Sequence, residues 1–75
     1  MKEQYKTPGQ LIEALLQERG WSQSILAAVL SMSASTLNKL ISGSQAVTAE
    51  IAIGLEEVFA VDAARFLSLQ QTYDL

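Results

Sequence analysis

Capping residues and glycines recur along this chain at intervals that leave room for helices and for little else. Thr7-Pro8 is a start signal, with the Thr hydroxyl as N-cap and Pro at the first helical position. Leu11, Ile12, Leu15 and Leu16 then recur at helical spacing until Gly20 supplies a left-handed stop. Ser22 caps a second helix with an apolar stripe of Ile25, Leu26, Val29 and Leu30. Ser33 caps a third, with Leu37, Leu40 and Ile41 facing inward and Gly43 at its end. Thr48 opens a fourth, with Ile51, Ala52, Leu55, Val58 and Phe59 on one face. Asp62 caps a fifth that runs through Phe66, Leu67 and Leu69 towards Tyr73. No stretch alternates with a period of two, so the fold reads as all-α. Connections are short, and only GSQAV (43–47) is loop-like for more than three residues. No repeat or low-complexity run divides the chain.

At 75 residues the chain is expected to form one domain, residues 1–75. Its apolar fraction of 49% and net charge of −3 place it outside the disordered class. A domain this small buries only about 60% of its unfolded surface, so its core is marginal. With no Cys and no His, neither disulfides nor the usual zinc sites are available to reinforce it. Stability must come from close helix packing, oligomerisation or both.

The same absences restrict chemistry. There is no thiol nucleophile, no imidazole base and no Ser-His or Cys-His pair to assemble. Glu56 and Glu57 are adjacent on a helix and point about 100° apart, which suits solvation better than a shared proton. The four glycines are isolated, so no phosphate-cradling loop exists. The chain reads as a binding or interaction module rather than an enzyme, with no cofactor and no metal. MKEQYKTPGQ at the start lacks the apolar run of a signal peptide, and no apolar stretch approaches a membrane span. A cytoplasmic location and the lack of membrane contact follow as expectations, consistent with the absence of Cys.

Charge is unevenly spread. Residues 21–48 carry Lys39 alone, whereas residues 49–75 carry Arg65 against Glu50, Glu56, Glu57, Asp62 and Asp74. A polyanion would therefore meet the second and third helices, with the acidic C-terminal third facing away. Gln23 to Ser42, QSILAAVLSMSASTLNKLIS, holds two short helices separated by Leu30-Ser31-Met32-Ser33, too tight for a side-by-side hairpin. Ala27 is small where the second helix would cross the first. Leu26, Leu30, Met32, Leu37 and Leu40 supply the apolar contacts that would set the crossing. This is the spacing of a DNA-reading helix-turn-helix, one helix across the backbone and the next in the major groove.

SQSILAAVLSMSASTLNKLISG resembles the helix-turn-helix of the Cro/repressor-like (XRE) family of five-helix DNA-binding domains. TPGQLIEALLQERGWSQ ahead of it, AVTAEIAIGLEEVFAV behind it and the ending FLSLQQTYDL together resemble the HigA-type antitoxin group, over roughly residues 7–75. The resemblance implies a compact five-helix fold, usually a homodimer, that binds a pseudo-palindromic operator in double-stranded DNA. It further implies a toxin protein as partner and repression of the chain's own operon. Similar domains stand at the N-terminus of larger proteins with a metallopeptidase-like region, so the stop at TYDL also fits a piece of such a protein.

On that resemblance the third helix presents Ser33, Ala34, Ser35, Asn38, Lys39 and Ser42 outward. Asn38 can pair bidentately with adenine N6/N7, Lys39 can reach guanine or a phosphate, and Ala34 can touch a thymine methyl. Gln23 would hydrogen-bond a phosphate, and Thr36 and Ser44 are further candidates for backbone contact. Ser33 serves first as a helix cap. Trp21 is a packing residue rather than a stacking platform for bases, and Phe59 and Phe66 are core. Against the family pattern, Ser44 and Gln45 stand where Lys or Arg is common, Gly54 where a basic residue is common, and Ser31 where the turn often has Gly. The serine fits if the turn avoids the left-handed region. Ile53, Val61 and Leu75 have no evident core role and suggest a dimer or partner surface. The alternative to a DNA-binding repressor is a protein-interaction module that keeps the fold without the DNA affinity.

Overall fold

A computed structural model describes residues 5–74. Five helices follow one another: α1 (Pro8–Arg19), α2 (Gln23–Val29), α3 (Ala34–Ser42), α4 (Ala49–Phe59) and α5 (Ala63–Asp74). No strand occurs among the described residues, and the all-α reading of the sequence holds.

Each helix starts where a side-chain oxygen can take up a free N–H. Thr7 Oγ1 accepts from the Gln10 N–H at 3.2 Å, Ser22 Oγ from Ile25 at 3.3 Å, Ser33 Oγ from Thr36 at 3.1 Å and Thr48 Oγ1 from Ile51 at 3.3 Å. These caps contribute about 1 kcal/mol each, a useful increment in a domain of this size. The start of α5 is held by two carboxylates. Asp62 accepts from the Ala64 N–H at 3.0 Å, and Glu56, reaching over from α4, accepts from the Ala63 N–H at 3.2 Å. Glu56 is thus exposed yet structurally engaged. Helix α1 stops as its glycine predicts. Gly20 has φ 70°, with its N–H on the Gln17 carbonyl at 3.2 Å and the Trp21 N–H on the Leu16 carbonyl at 2.9 Å, the two bonds of a Schellman motif.

Helix α1 packs on α3 and α5, α2 on α3, and α4 on α5. The core they enclose comprises Leu11, Ile12 and Leu16 of α1, Leu26 and Ala27 of α2, Leu37 and Leu40 of α3, Ala52, Leu55 and Phe59 of α4, Phe66 of α5 and Val47 from the α3–α4 loop. Leu15, Leu30, Met32, Ile41, Ile51, Val58, Leu67 and Leu69 form a half-buried shell around it. Two expectations are corrected here. The apolar stripe expected on α2 is narrower than its sequence suggests, because Ile25 and Val29 are 44% and 50% exposed. A two-turn helix covered on one face buries Leu26 and Ala27 and leaves the residues beside them in solvent. Val61, for which no core role was expected, is half-buried and packs against the core. Ile53 is 55% exposed as expected, and Leu75 lies outside the described residues.

Gly9 governs how closely α1 approaches α3. It is buried at the start of α1, and a Cβ there would run into the backbone carbonyl of Ile41 near the end of α3. Helix propensity alone would favour Ala at this position by about 1 kcal/mol. Overpacking against backbone costs more, so Gly9→Ala should destabilise the fold by about 1–3 kcal/mol. The midpoint of urea unfolding, read at unchanged m-value, checks this: a higher midpoint would show that the two helices are not in close contact.

Candidate nucleic-acid interface

The geometry that matters begins at the end of α2. The Leu30 N–H still bonds the Leu26 carbonyl at 2.9 Å, and the next residue turns the chain. Ser31 has φ 58°, its N–H reaches the Ala28 carbonyl at 3.2 Å, and the Met32 N–H reaches the Ala27 carbonyl at 2.9 Å. This is a second Schellman motif, with a serine where glycine is usual. The condition under which a serine fits this turn without strain, a backbone outside the left-handed region, is therefore not met. Two backbone bonds and the half-burial of Met32 offset the steric cost of a Cβ in that conformation.

The turn brings α2 and α3 to a bend of 112°, within the range of a helix-turn-helix. Ala27 is 3% exposed and Leu26 and Leu37 fully buried, so the crossing is as tight as the small residue allows. Burying Leu37 and Leu40 fixes the rotation of α3 about its own axis. Ser35, Asn38, Lys39 and Ser42 are consequently exposed on its other side, and Ala34 is exposed as the first residue of the helix. The structure gathers these five expected residues on one helix, with the exposed Ser44 two residues beyond its end.

Local hydrogen bonds decide which side chains are free for a ligand. Ser33 Oγ accepts from the Thr36 N–H and donates to Thr36 Oγ1 at 2.9 Å. Ser33 is therefore first a cap, and the half-buried Thr36 accepts from it while retaining its own hydroxyl proton. Ser42 Oγ donates to the Lys39 carbonyl at 3.2 Å and lies 3.1 Å from Ser44 Oγ, which links the end of α3 to the residue after Gly43. Gln23, the first residue of α2, is half-buried.

Lys39 is exposed and brings the single formal positive charge of residues 21–48 to this surface. Arg19 is used elsewhere. Its guanidinium lies 5.6 Å from the centre of the Trp21 ring and 5.2 Å from that of Phe59, and Nη2 donates to the Phe59 carbonyl at 3.3 Å. Trp21 and Phe59 stand 6.0 Å apart, so Trp21 packs at a helix junction as its position implied.

Two residues bear on this region without the sequence assigning them a part in it. Gln70 on α5 is buried and accepts from the Val47 N–H at 2.8 Å, and Tyr73 lies against Gly43 at the end of α3. Both look like ordinary polar residues of an exposed terminal helix, and no local pattern distinguishes them.

The helix-turn-helix family model matches residues 12–66, spanning α1 residue Ile12 to α5 residue Phe66. The chain belongs to the helix-turn-helix family. Virulence-associated protein I of Dichelobacter nodosus is 35% identical over 69 residues, covering 91% of this chain and 64% of that protein. The transcriptional regulator RamB of Mycobacterium tuberculosis is 38% identical over 64 residues, covering 85% of this chain. The chain spans less than two thirds of the first and only 14% of the second. The antitoxin HigA of Pseudomonas aeruginosa, solved with the higBA promoter, superposes with a TM-score of 0.82 at 30% identity, over 91% of this chain and 75% of that one. The helix-turn-helix domain is thus of the HigA type, as its flanking segments suggested.

Replacing Ser31 by Gly removes the Cβ from the left-handed position while keeping both backbone bonds. Ser31→Gly should stabilise the domain by about 1 kcal/mol. A thermal or urea midpoint that stays put or falls would contradict the assigned turn.

Proposed function

We propose that the chain is a sequence-specific DNA-binding repressor of the antitoxin type, with α3 lying in the major groove. One observation carries this reading: α3 buries Leu37 and Leu40 and leaves a continuous polar face of Ser35, Asn38, Lys39 and Ser42 in solvent. The membership of the HigA type supports it, since the Pseudomonas antitoxin was solved with promoter DNA.

In this reading α2 crosses the backbone and α3 reads base edges. Asn38 pairs with adenine N6/N7, Lys39 takes guanine or a phosphate, and Ala34 meets a thymine methyl. Ser35 and Ser42 add hydrogen bonds along the groove. Gln23, Ser33, Thr36 and Ser44 contact phosphates, Thr36 with the hydroxyl proton that its bond to Ser33 leaves available. No catalytic step is assigned. A homodimer on a pseudo-palindromic operator doubles the cations and the contacts, which a surface with one formal positive charge needs. Repression of its own operon and a cytoplasmic site of action follow from the same reading. No described helix is long and apolar enough to cross a membrane.

A second reading, a module for protein contacts alone, has one observation in its favour. Ile25, Val29 and Ile53 are large, apolar and roughly half-exposed. Within the leading reading these residues are available for a second copy or a toxin protein.

Selection of duplexes from a randomised pool by the purified protein, followed by salt titration of the winners, separates the two. The repressor reading expects an enriched palindrome with half-sites about one helical turn apart. No enrichment would favour the interaction module. On the enriched duplex, Asn38→Ala should relax preference at one base pair at a cost of about 1–3 kcal/mol. Lys39→Ala should weaken binding across sequences and lower the salt slope by about 0.9 per subunit. If both variants bind like the parent, α3 does not occupy the major groove.

A further inference from the structure

The loop that follows α3, residues 43–47, is held from the far side by α5. Its first residue, Gly43, has φ 89°, and a Cβ there would stand 2.7 Å from Tyr73 Oη. Its last, Val47, has its side chain in the core and donates its N–H to Gln70 Oε1 at 2.8 Å. Gln70 and Tyr73 are three residues apart on one helix, so a single face of α5 meets both ends of the loop. Between those ends Gln45 bonds the Lys39 carbonyl through its N–H at 3.1 Å, and Ser44 is exposed beside Ser42. The loop's course from α3 to the Thr48 cap is thereby determined at three points, one of which is the only buried polar side chain among the described residues.

We infer that Gln70 is a positioning residue for DNA binding, acting through Val47 to fix the loop that carries Ser44 against the end of α3. The reason is the cost of the alternative. Without the Gln70 carbonyl, the Val47 N–H is a buried donor with no partner, and the loop must shift to reach water. A shift there moves Ser44 and the Lys39 carbonyl to which Ser42 and Gln45 are bonded. The helix that never touches the duplex in this reading would then set the geometry of the surface that does.

This inference rests on the DNA-reading function proposed above, and the test separates the two. Binding to the enriched duplex is measured for the parent protein, Gln70→Met, Gln70→Glu and Leu67→Ala, at a temperature where urea unfolding shows all four folded. Gln70→Met matches the shape but removes the acceptor, and should lower affinity about tenfold, the equivalent of one buried donor left unpaired. Hydrogen exchange at the Val47 amide should accelerate with it. Gln70→Glu keeps an oxygen for the Val47 N–H and should return affinity to within about threefold of the parent. Leu67→Ala loosens α5 at a half-buried apolar position and should leave affinity unchanged while lowering stability. If Gln70→Met binds as the parent does, if Gln70→Glu fails to restore binding, or if Leu67→Ala weakens binding equally, the positioning role is overturned. A parent protein that selects no duplex overturns the repressor reading and this role with it.

Discussion

The bond from the Met32 N–H to the Ala27 carbonyl is the contact on which the arrangement of this protein turns. It closes α2 one residue after the helix axis must change direction, and it requires Ser31 to sit at φ 58°. From that reversal follow the 112° bend, the tight crossing at Ala27 and the burial of Leu37 and Leu40. The outward polar face of α3 is the remainder: once the inner side of the helix is committed to the core, Asn38 and Lys39 face solvent. A strained residue at the turn is thus tied directly to the surface assigned to DNA. A second non-glycine in the same conformation, Ala60 at φ 58°, ends α4, where its N–H bonds the Glu56 carbonyl at 2.8 Å.

A domain of this size has little apolar area to spare, and its packing shows where economy was needed. Gly9 permits α1 to lie against the end of α3 at backbone distance. Glu56 and Asp62 share the start of α5, so the α4–α5 connection is held by two side chains in place of a long loop. Gln70 is the exception to the apolar core. A buried amide is expensive unless bonded, and it is bonded to the one loop whose last residue also fills the core. Polar burial here specifies position more than it adds stability.

The local features of the fold were legible in the sequence because each has a local cause. Thr7, Ser22, Ser33 and Thr48 cap because a hydroxyl next to a helix start finds a free N–H three residues on, and Gly20 stops α1 because it has no Cβ. Periodicity was less informative on α2. It identifies Ile25 and Val29 as apolar but cannot say that a two-turn helix is covered on one side only. Ser31 takes the left-handed conformation because the half-burial of Met32 and two backbone bonds outweigh a cost of about 1–2 kcal/mol. Gly9 and Gln70 carry no local signal, since each is defined by a residue far along the chain, Ile41 and Val47. For the candidate interface, residue types and spacing point to α3, while the division of labour between cap and contact at Ser33 and Thr36 is set by hydrogen bonds formed only in the folded chain.

Low charge frames the central claim. One lysine on the reading surface gives modest non-specific attraction, so whatever discrimination this helix-turn-helix makes must come from directed hydrogen bonds on a well-fixed α3. The most direct test is to follow backbone amide resonances while titrating the isotope-labelled protein with the duplex it selects. With α3 in the major groove, the largest shifts should fall on Ala34 to Ser42, with Gln23 and Ser44, and α4 should stay nearly still. Shifts concentrated on α4 and α5, with α3 unmoved, would contradict that placement.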